Sequence, residues 1–562
     1  MKKITLLLAA FLCVQAPKAF AQMNVVAESE AFPEYESGHL KVLSMKNKET
    51  ALLHFNTKND IDWKMYDAEH KLKFEKKIDP KTPYKMKGGK IMGIFESADG
   101  YITAIYSSAH HRVPSLHRLV LDPATGAVKQ DEIISTLKRV SFWDGYAMAF
   151  GGVPLPEFYM NLDEATGCYA TALYNTFESD RNKRIQVIHY NNSNKEIARA
   201  YYQSPKNGYK YLTFLDMATI GSKEVVVSVT GRNTKISGGD MSGVLLMGSL
   251  KPGANAFNLQ KINYNNGRPS KIKAALTRYN QHTGDIYLLT LESAGMKKKM
   301  LQFRSQLSIV DKDWKISSRM VTTKKIQELA TKHYKTNNAF IAMPQNLSVN
   351  EDGSFSILFE EQKIVTYVSS SGSGPVSFSG RAGGGTGVNY GAKTRTECYI
   401  SDVGVQHYDN EGKELNAYYI PKSHRLGTYI PKYMYRAKDQ QSGVLLRQGF
   451  QFKSFAYVPV GSKGYVLFND VERNQKKVDK KRKVTTIQNI DDSEAFMFDL
   501  NGPSGMPARQ QVFPGDSRRA QSLGLFNGSD YNAAQKLMTV VVTQPRKKDA
   551  RTNTKVVWLS VQ

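Results

Sequence analysis

The side chains in this sequence that could do chemistry fall into two groups, scattered nucleophiles and acids on one side and clustered cations on the other. Glu360 and Glu361 stand together at the end of an apolar run, Phe355–Phe359. A glycoside hydrolase needs two carboxylates facing each other across a sugar, but adjacent residues of an extended segment point to opposite sides. One of the two is therefore expected to pair with a nearby Lys or Arg. His110, His111 and His117 carry ring nitrogens suited to a metal, yet no carboxylate or cysteine cluster accompanies them and the same alternation separates neighbours. No metal site and no cofactor is expected. Ser369–Gly391 is rich in Ser and Gly, including Gly383–Gly385 and Gly387, but it lacks the strand–loop–helix setting and the Gly-Lys-Ser/Thr step of a phosphate-binding loop. It reads as a hairpin insertion over 369–396. No nucleophile elbow, zincin helix or dinucleotide fingerprint occurs in the right setting, and catalytic residues are not assigned.

The cations behave differently, because they cluster. Arg181, Lys183 and Arg184; Arg232 and Lys235; Lys297, Lys298 and Lys299; Arg381, Lys393 and Arg395; Lys476, Lys477, Lys480, Lys481, Arg482 and Lys483; and Arg546, Lys547, Lys548 and Arg551 all fall between strand-like runs. The whole chain carries a formal charge of +26 over 562 residues. Such a field favours anionic partners: an anionic glycan, an envelope surface, or an acidic protein partner. Nucleic acid is not the expected partner.

The N-terminus sets the compartment. Lys2 and Lys3, an apolar run Ile4–Val14, and Ala19-Phe20-Ala21 form the three-part pattern of a cleaved secretory signal, residues 1–21. The run is shorter than the roughly 20 apolar residues that span a bilayer. Phe11 and Leu12 before Cys13 do not suit a lipid-attachment motif. Cleavage takes three lysines and no acid, leaving +23. The expected destinations are the periplasm, the outer-membrane surface or the medium. Only Cys168 and Cys398 remain in the mature chain, too few for a disulfide framework, and both are expected as buried free thiols.

The elements that must position these side chains are almost all β. One helix is expected over Lys324–Lys335, with Ile326, Leu329 and Ala330 at three- and four-residue steps. Elsewhere short β-type runs recur in a fixed order. Tyr101–Tyr106 is followed by a polar loop, Leu116–Leu121, the turn Asp122–Gly126 and Ala127–Ile134. The order repeats at Cys168–Tyr202, Asp285–Val321 and Ser354–Ile420. A weaker run precedes each unit, ended by turns such as Ala98–Gly100 or Glu351–Gly353. Four antiparallel strands per unit make a propeller blade. Second strands begin near Ala51, Tyr101, Cys168, Glu224, Asp285, Ser354, Gly464 and Leu537, which favours eight blades over seven or a pair of β-sandwiches. The last unit lacks a fourth strand, and Met23–Glu28 is available to supply it, which would close the ring without a free edge. The expectation is an all-β, eight-bladed propeller over residues 22–562.

Phe359–Gln362, Tyr399, Tyr408, Asp409–Lys413, Ile420–Lys422 and Phe468–Asp470 resemble the strand–loop–strand punctuation of exported Bacteroidetes-type propeller-like proteins of unassigned function. The resemblance covers about residues 340–515 and implies fold and lineage. In a propeller, every loop between the second and third strands leaves from one face. The cation clusters occupy those loops, so the favoured reading is an exported binding or scaffold propeller with a basic loop face. The alternative is a carbohydrate-active hydrolase or lyase with its site in the central funnel.

Overall fold

The computed structural model describes residues 23–561 apart from 58–59, 82–88, 111–112, 140, 142–155, 235–241, 263, 265–268, 298–299, 337–339, 342, 371–372, 379–392, 427–441, 448, 462, 514–521 and 545–552. The expected signal peptide lies outside the described residues.

Eight antiparallel sheets follow one another along the chain, and they form an eight-bladed β-propeller. The second strands begin at Thr50, Ile102, Tyr169, Glu224, Ile286, Phe355, Lys463 and Leu537, each within two residues of the start read from the sequence. Blade 8 is completed as expected. Met23–Glu28 pairs antiparallel with Asn553–Val561, Met23 opposite Val561 and Glu28 opposite Val557.

The turns that cut the chain into blades work through their own side chains. In the turns between third and fourth strands, Asp122 Oδ1 accepts from the Ala124 N–H at 2.9 Å, Asp311 Oδ1 from Lys315 at 2.8 Å, and Asp409 Oδ1 from Lys413 at 2.8 Å. An Asp or Asn that holds its own loop this way favours a turn over continued extension. Gly126, Asn194, Trp314 and Gly412 follow in the left-handed region, at φ +68°, +63°, +61° and +79°. Trp314 is unusual there, since a bulky side chain gains nothing from that conformation.

Eight apolar seams, one between each pair of neighbouring blades, hold the ring together. Leu53, Trp63 and Ile102 belong to the seam of blades 1 and 2; Phe95 and Tyr169 to that of blades 2 and 3. The circle closes with Leu40, Leu52, Tyr66, Val556 and Trp558 between blades 1 and 8. There Trp558 Nε1 donates to Thr50 Oγ1 at 3.0 Å, so the one polar atom of a fully buried indole is satisfied. Helix α1, Lys324–Tyr334, falls where its apolar period placed it and inserts Ile326 and Ala330 into the seam of blades 5 and 6. Cys168 and Cys398 are buried free thiols. No helix among the described residues is long and apolar enough to cross a membrane.

Three features escaped the sequence. A short helix α2, Arg473–Asp479, occupies the loop between second and third strands of blade 7. The second and third strands of blade 6 run 16 residues each, Phe355–Ser370 and Lys393–Tyr408, and form a long arm; Ser373–Phe378 folds back on Thr366–Ser370, and 379–392 lie outside the described residues. Finally, the link between blades 6 and 7 sends Val444–Arg447 to the inner edge of blade 1, where Val444 pairs with Leu40 and Arg447 with Ser37. That five-stranded blade puts a piece of chain inside the central channel.

Candidate functional site

Each cation cluster read from the sequence falls in, or at the base of, a connection between second and third strands, and strand order puts these connections at one end of every blade. The clusters differ in how they are held. In blade 3, Arg181–Lys183 form a 3-10 turn whose preceding Asp180 accepts from the Asn182 N–H at 2.9 Å. Lys183 lies 3.9 Å from the same carboxylate and Arg184 Nε donates to Glu178 O at 2.8 Å, so much of this charge is answered locally. In blade 5, Lys297 ends the second strand opposite Met300; Lys298 and Lys299 lie outside the described residues. In blade 6, Lys393 and Arg395 sit on the arm, opposite Ser369 and Tyr367. Arg381, Lys235, Arg546, Lys547, Lys548 and Arg551 lie outside the described residues.

One cation grouped with the loops and one histidine weighed as a metal ligand are buried in strands. Arg232 is buried at the end of its strand, its guanidinium 5.9 Å from the Tyr211 ring centre. His117 is buried mid-strand, hydrogen-bonded to Ser108 Oγ at 2.8 Å through Nε2 and stacked on Tyr106. Burial lowers its pKa to about 4, so it is neutral and inaccessible. Arg232 ends the strand Glu224–Arg232, and His117 lies within the strand Val113–Asp122.

The blade 7 cluster is the best defined. Lys476 and Lys477 lie in the last turn of α2, where the helix dipole favours positive charge. Lys481 then turns left-handed at φ +53°, and Lys480–Lys483 are exposed. Immediately after them Val484, Ile487 and Ile490 are buried, the latter two in the seam of blades 1 and 8. The loop is also stitched to the last strand of blade 6. Ile487 N donates to Ser423 O at 2.9 Å and Arg425 N to Ile487 O at 3.0 Å. The cations therefore stand on an anchored loop.

Beneath this loop lies a buried polar cluster in blade 6. Lys422 Nζ donates to Glu360 Oε1 at 2.7 Å, with both side chains wholly removed from water. The partner expected for Glu360 is thus found. Asp402 accepts from the Lys422 N–H at 2.9 Å and from the Tyr419 hydroxyl. Burial raises Asp402 to about 6, while the Tyr419 hydroxyl and other donors act against it. Glu361 is half-buried and is raised to about 7 by burial and by Asp402, with Lys483 opposing. Lys483 thus couples the exposed loop electrostatically to the cluster below.

The central channel is a second candidate. All eight blades contribute to its wall, with Lys41, Met92, Asn161, Asp216, Arg278, Asn346, Val458 and Asp530 among the residues. On the loop side it narrows: buried Ser442 shares with Lys90, Glu157, Tyr159 and Asp216 the wall of a cavity of only ≈ 60 Å³, and Val444 and Leu446 are buried too. Towards the opposite face, that of the short turns, it widens. Cavities of ≈ 300, ≈ 390 and ≈ 420 Å³ share Glu164, and Lys41, Arg278 and Asp530 recur in their walls. A lining of only apolar and small residues would have left no chemistry here; the lining is charged instead. Among the described residues no group of three or more His, Cys, Asp or Glu has the geometry to hold a metal ion.

No family model matches the chain, and no curated protein matches it. Solved structures do resemble it. One from a study of two prolyl endopeptidases is 10% identical with a TM-score of 0.38, covering 91% of this chain, which spans about half (55%) of that one. Polysaccharide lyase Uly1 is 8% identical with a TM-score of 0.37, covering 84% of this chain and 90% of its own. A protein of unknown function from Bacteroides caccae is 10% identical with a TM-score of 0.22, covering 57% and 82%. Similarity at this level carries no information on activity or family, and what the protein does has to be argued from its own side chains.

Proposed function

We propose that the protein is an exported binding propeller that takes a polyanionic glycan on the face of its second-to-third-strand loops. One observation carries the reading: Lys480–Lys483 are exposed on a loop pinned by three buried apolar side chains, and no carboxylate of the described residues closes an ion pair with any of the four. A solvated run without function needs neither the anchors nor the two backbone hydrogen bonds to blade 6. Preorganised cations lose little conformational freedom when an anion arrives. The corresponding loops of blades 3, 5 and 6 place Arg181, Lys183, Lys297, Lys393 and Arg395 at the same end of the disc. Loops on a rigid scaffold are the usual place for recognition.

The test is binding of polygalacturonate and of dextran sulfate, against neutral dextran, at rising salt. Affinity for both polyanions should fall steadily with ionic strength as screening grows, and serine at all four positions 480–483 should weaken it at least about tenfold, or 1.4 kcal/mol. Salt-independent binding, or equal binding by the serine variant, would overturn the reading.

A further inference from the structure

The mouth of the channel on the turn face has a composition that the fold does not require. Glu164, in the turn between first and second strands of blade 3, plays no part in holding that turn, and no described residue donates a hydrogen bond to its carboxyl group. Its neighbour Asp163 secures the local structure, accepting from the Gly221 N–H at 2.8 Å and the Thr166 hydroxyl at 2.8 Å. Arg278 spends two N–H groups on Thr277 O at 3.0 Å and Asn346 Oδ1 at 3.1 Å, leaving the rest of its five donors to the cavity. Asp530 accepts from the Ser44 N–H at 2.7 Å through one oxygen and has the other to spare. Lys41 completes the set in the same ≈ 300 Å³ cavity, with Tyr531 in the wall.

Charge decides what such a site takes. Glu164 lies within electrostatic reach of Lys41, Arg278, Asp530 and Asp163, and Arg278 of Asp216 as well, yet no ion pair within 4.0 Å joins Glu164 to either cation; Asp163 and Asp216 are already engaged by backbone N–H groups. In the wall of the ≈ 300 Å³ cavity itself, two cations stand against two carboxylates. A ligand of either net charge would break that compensation and meet a like charge in the wall as it did so. A neutral ligand that donates and accepts at once can enter the gaps without disturbing it. Vicinal hydroxyls do this: each is one donor and two acceptors, matching carboxylates on one side and guanidinium, ammonium and amide on the other. A tyrosine in the wall adds an amphipathic ring for the apolar face of a pyranose. The volume is at the small end of the roughly 300–1,000 Å³ range of ligand sites, which suits a terminal sugar. Ser442, Val444 and Leu446 are buried on the far side and narrow the channel there, which favours entry by the end of a chain.

We propose that this funnel binds the terminal unit of a neutral saccharide, on the face opposite the basic loops and independently of them. The experiment is ligand-observed NMR and calorimetry with the methyl glycosides of glucose, galactose, mannose and xylose and with maltotriose and cellotriose, set against glucuronate and alanine. At least one neutral saccharide should bind with an affinity that is indifferent to salt. Glu164→Ala should weaken it at least about tenfold while leaving the melting temperature unchanged, since nothing in the fold leans on that carboxyl; Asp530→Asn should weaken it too. The variant with serine at 480–483 should bind it as the wild type does, which separates this site from the loop face. Binding of glucuronate or alanine alone, binding by no neutral probe, or wild-type affinity in Glu164→Ala overturns the proposal.

Discussion

Lys422 and Glu360 form an ion pair at 2.7 Å from which water is excluded on both sides. They belong to the fourth and second strands of blade 6, with the third strand between them. Such a pair is costly to bury and costlier to break, because removing one member strands the other charge.

Lys422→Met should therefore destabilise the protein by about 3–5 kcal/mol, read from urea unfolding. The double variant Lys422→Met with Glu360→Leu should recover most of that loss. A double variant as unstable as the single would show that the rest of the cluster depends on the pair's charge.

The carboxyls beside the pair predict a pH response. Asp402 at about 6 and Glu361 at about 7 both stand above their ordinary values of 3.8 and 4.5. Raised carboxyl pKa values mean that the folded state holds protons the unfolded chain has released. Their contribution is fully present below about pH 4 and is lost as pH rises through 6 and 7. His39 and His117, lowered to about 4 by burial, act in reverse and withdraw stability as pH falls from 6.5 towards 4. Melting temperatures of the wild type and of Asp402→Asn with Glu361→Gln should converge near pH 4 and separate by pH 8, with the wild type the less stable there. Parallel curves would contradict the assignment.

Blade 8 depends on its borrowed strand. A chain lacking Met23–Glu28 leaves Asn553–Val561 with an unpaired edge and uncovers the seam that Met23 helps fill. Free edges of this kind recruit other chains. The truncated protein should melt lower and form dimers or larger species in light scattering, whereas the full mature chain should not self-associate by this route.

Gly443 precedes the channel strand at φ +76°, and a Cβ placed there would meet Leu40 O at 2.8 Å. Gly443→Val should cost about 1–3 kcal/mol and raise amide exchange at Val444–Arg447 ahead of any other strand of blade 1. Exchange unchanged at those amides would mean that the strand holds its place without the glycine.

The blades were readable because their punctuation is local: Asp409 holds its own turn and Gly412 supplies its own backbone angle, so four residues suffice to announce the end of a strand. The partner of Glu360 was readable in type, since a carboxylate at the end of a core strand must be answered, but Lys422 could not be chosen from many lysines. The channel strand was hidden because Val444 pairs with Leu40, some 400 residues earlier, and Val444-Leu-Leu-Arg447 is too short to carry a period. Glu164 was hidden for another reason. It sits in an Asp-Glu-Ala-Thr-Gly turn like any other, and only the convergence of eight blades places Lys41, Arg278 and Asp530 around it.

Propellers are repeat structures in which each unit touches its two neighbours, and such arrays can fray from a weak joint. Here the joint between blades 8 and 1 is not the only tie on blade 1. The short strand on its inner edge belongs to the link between blades 6 and 7, and it ties blade 1 to that part of the circle from inside, as a spoke ties a rim. If the terminal strand peels away, blade 1 stays held from inside, and the circle cannot open as a simple chain of blades. Loss of structure should then be one concerted event in which spoke and rim fail together.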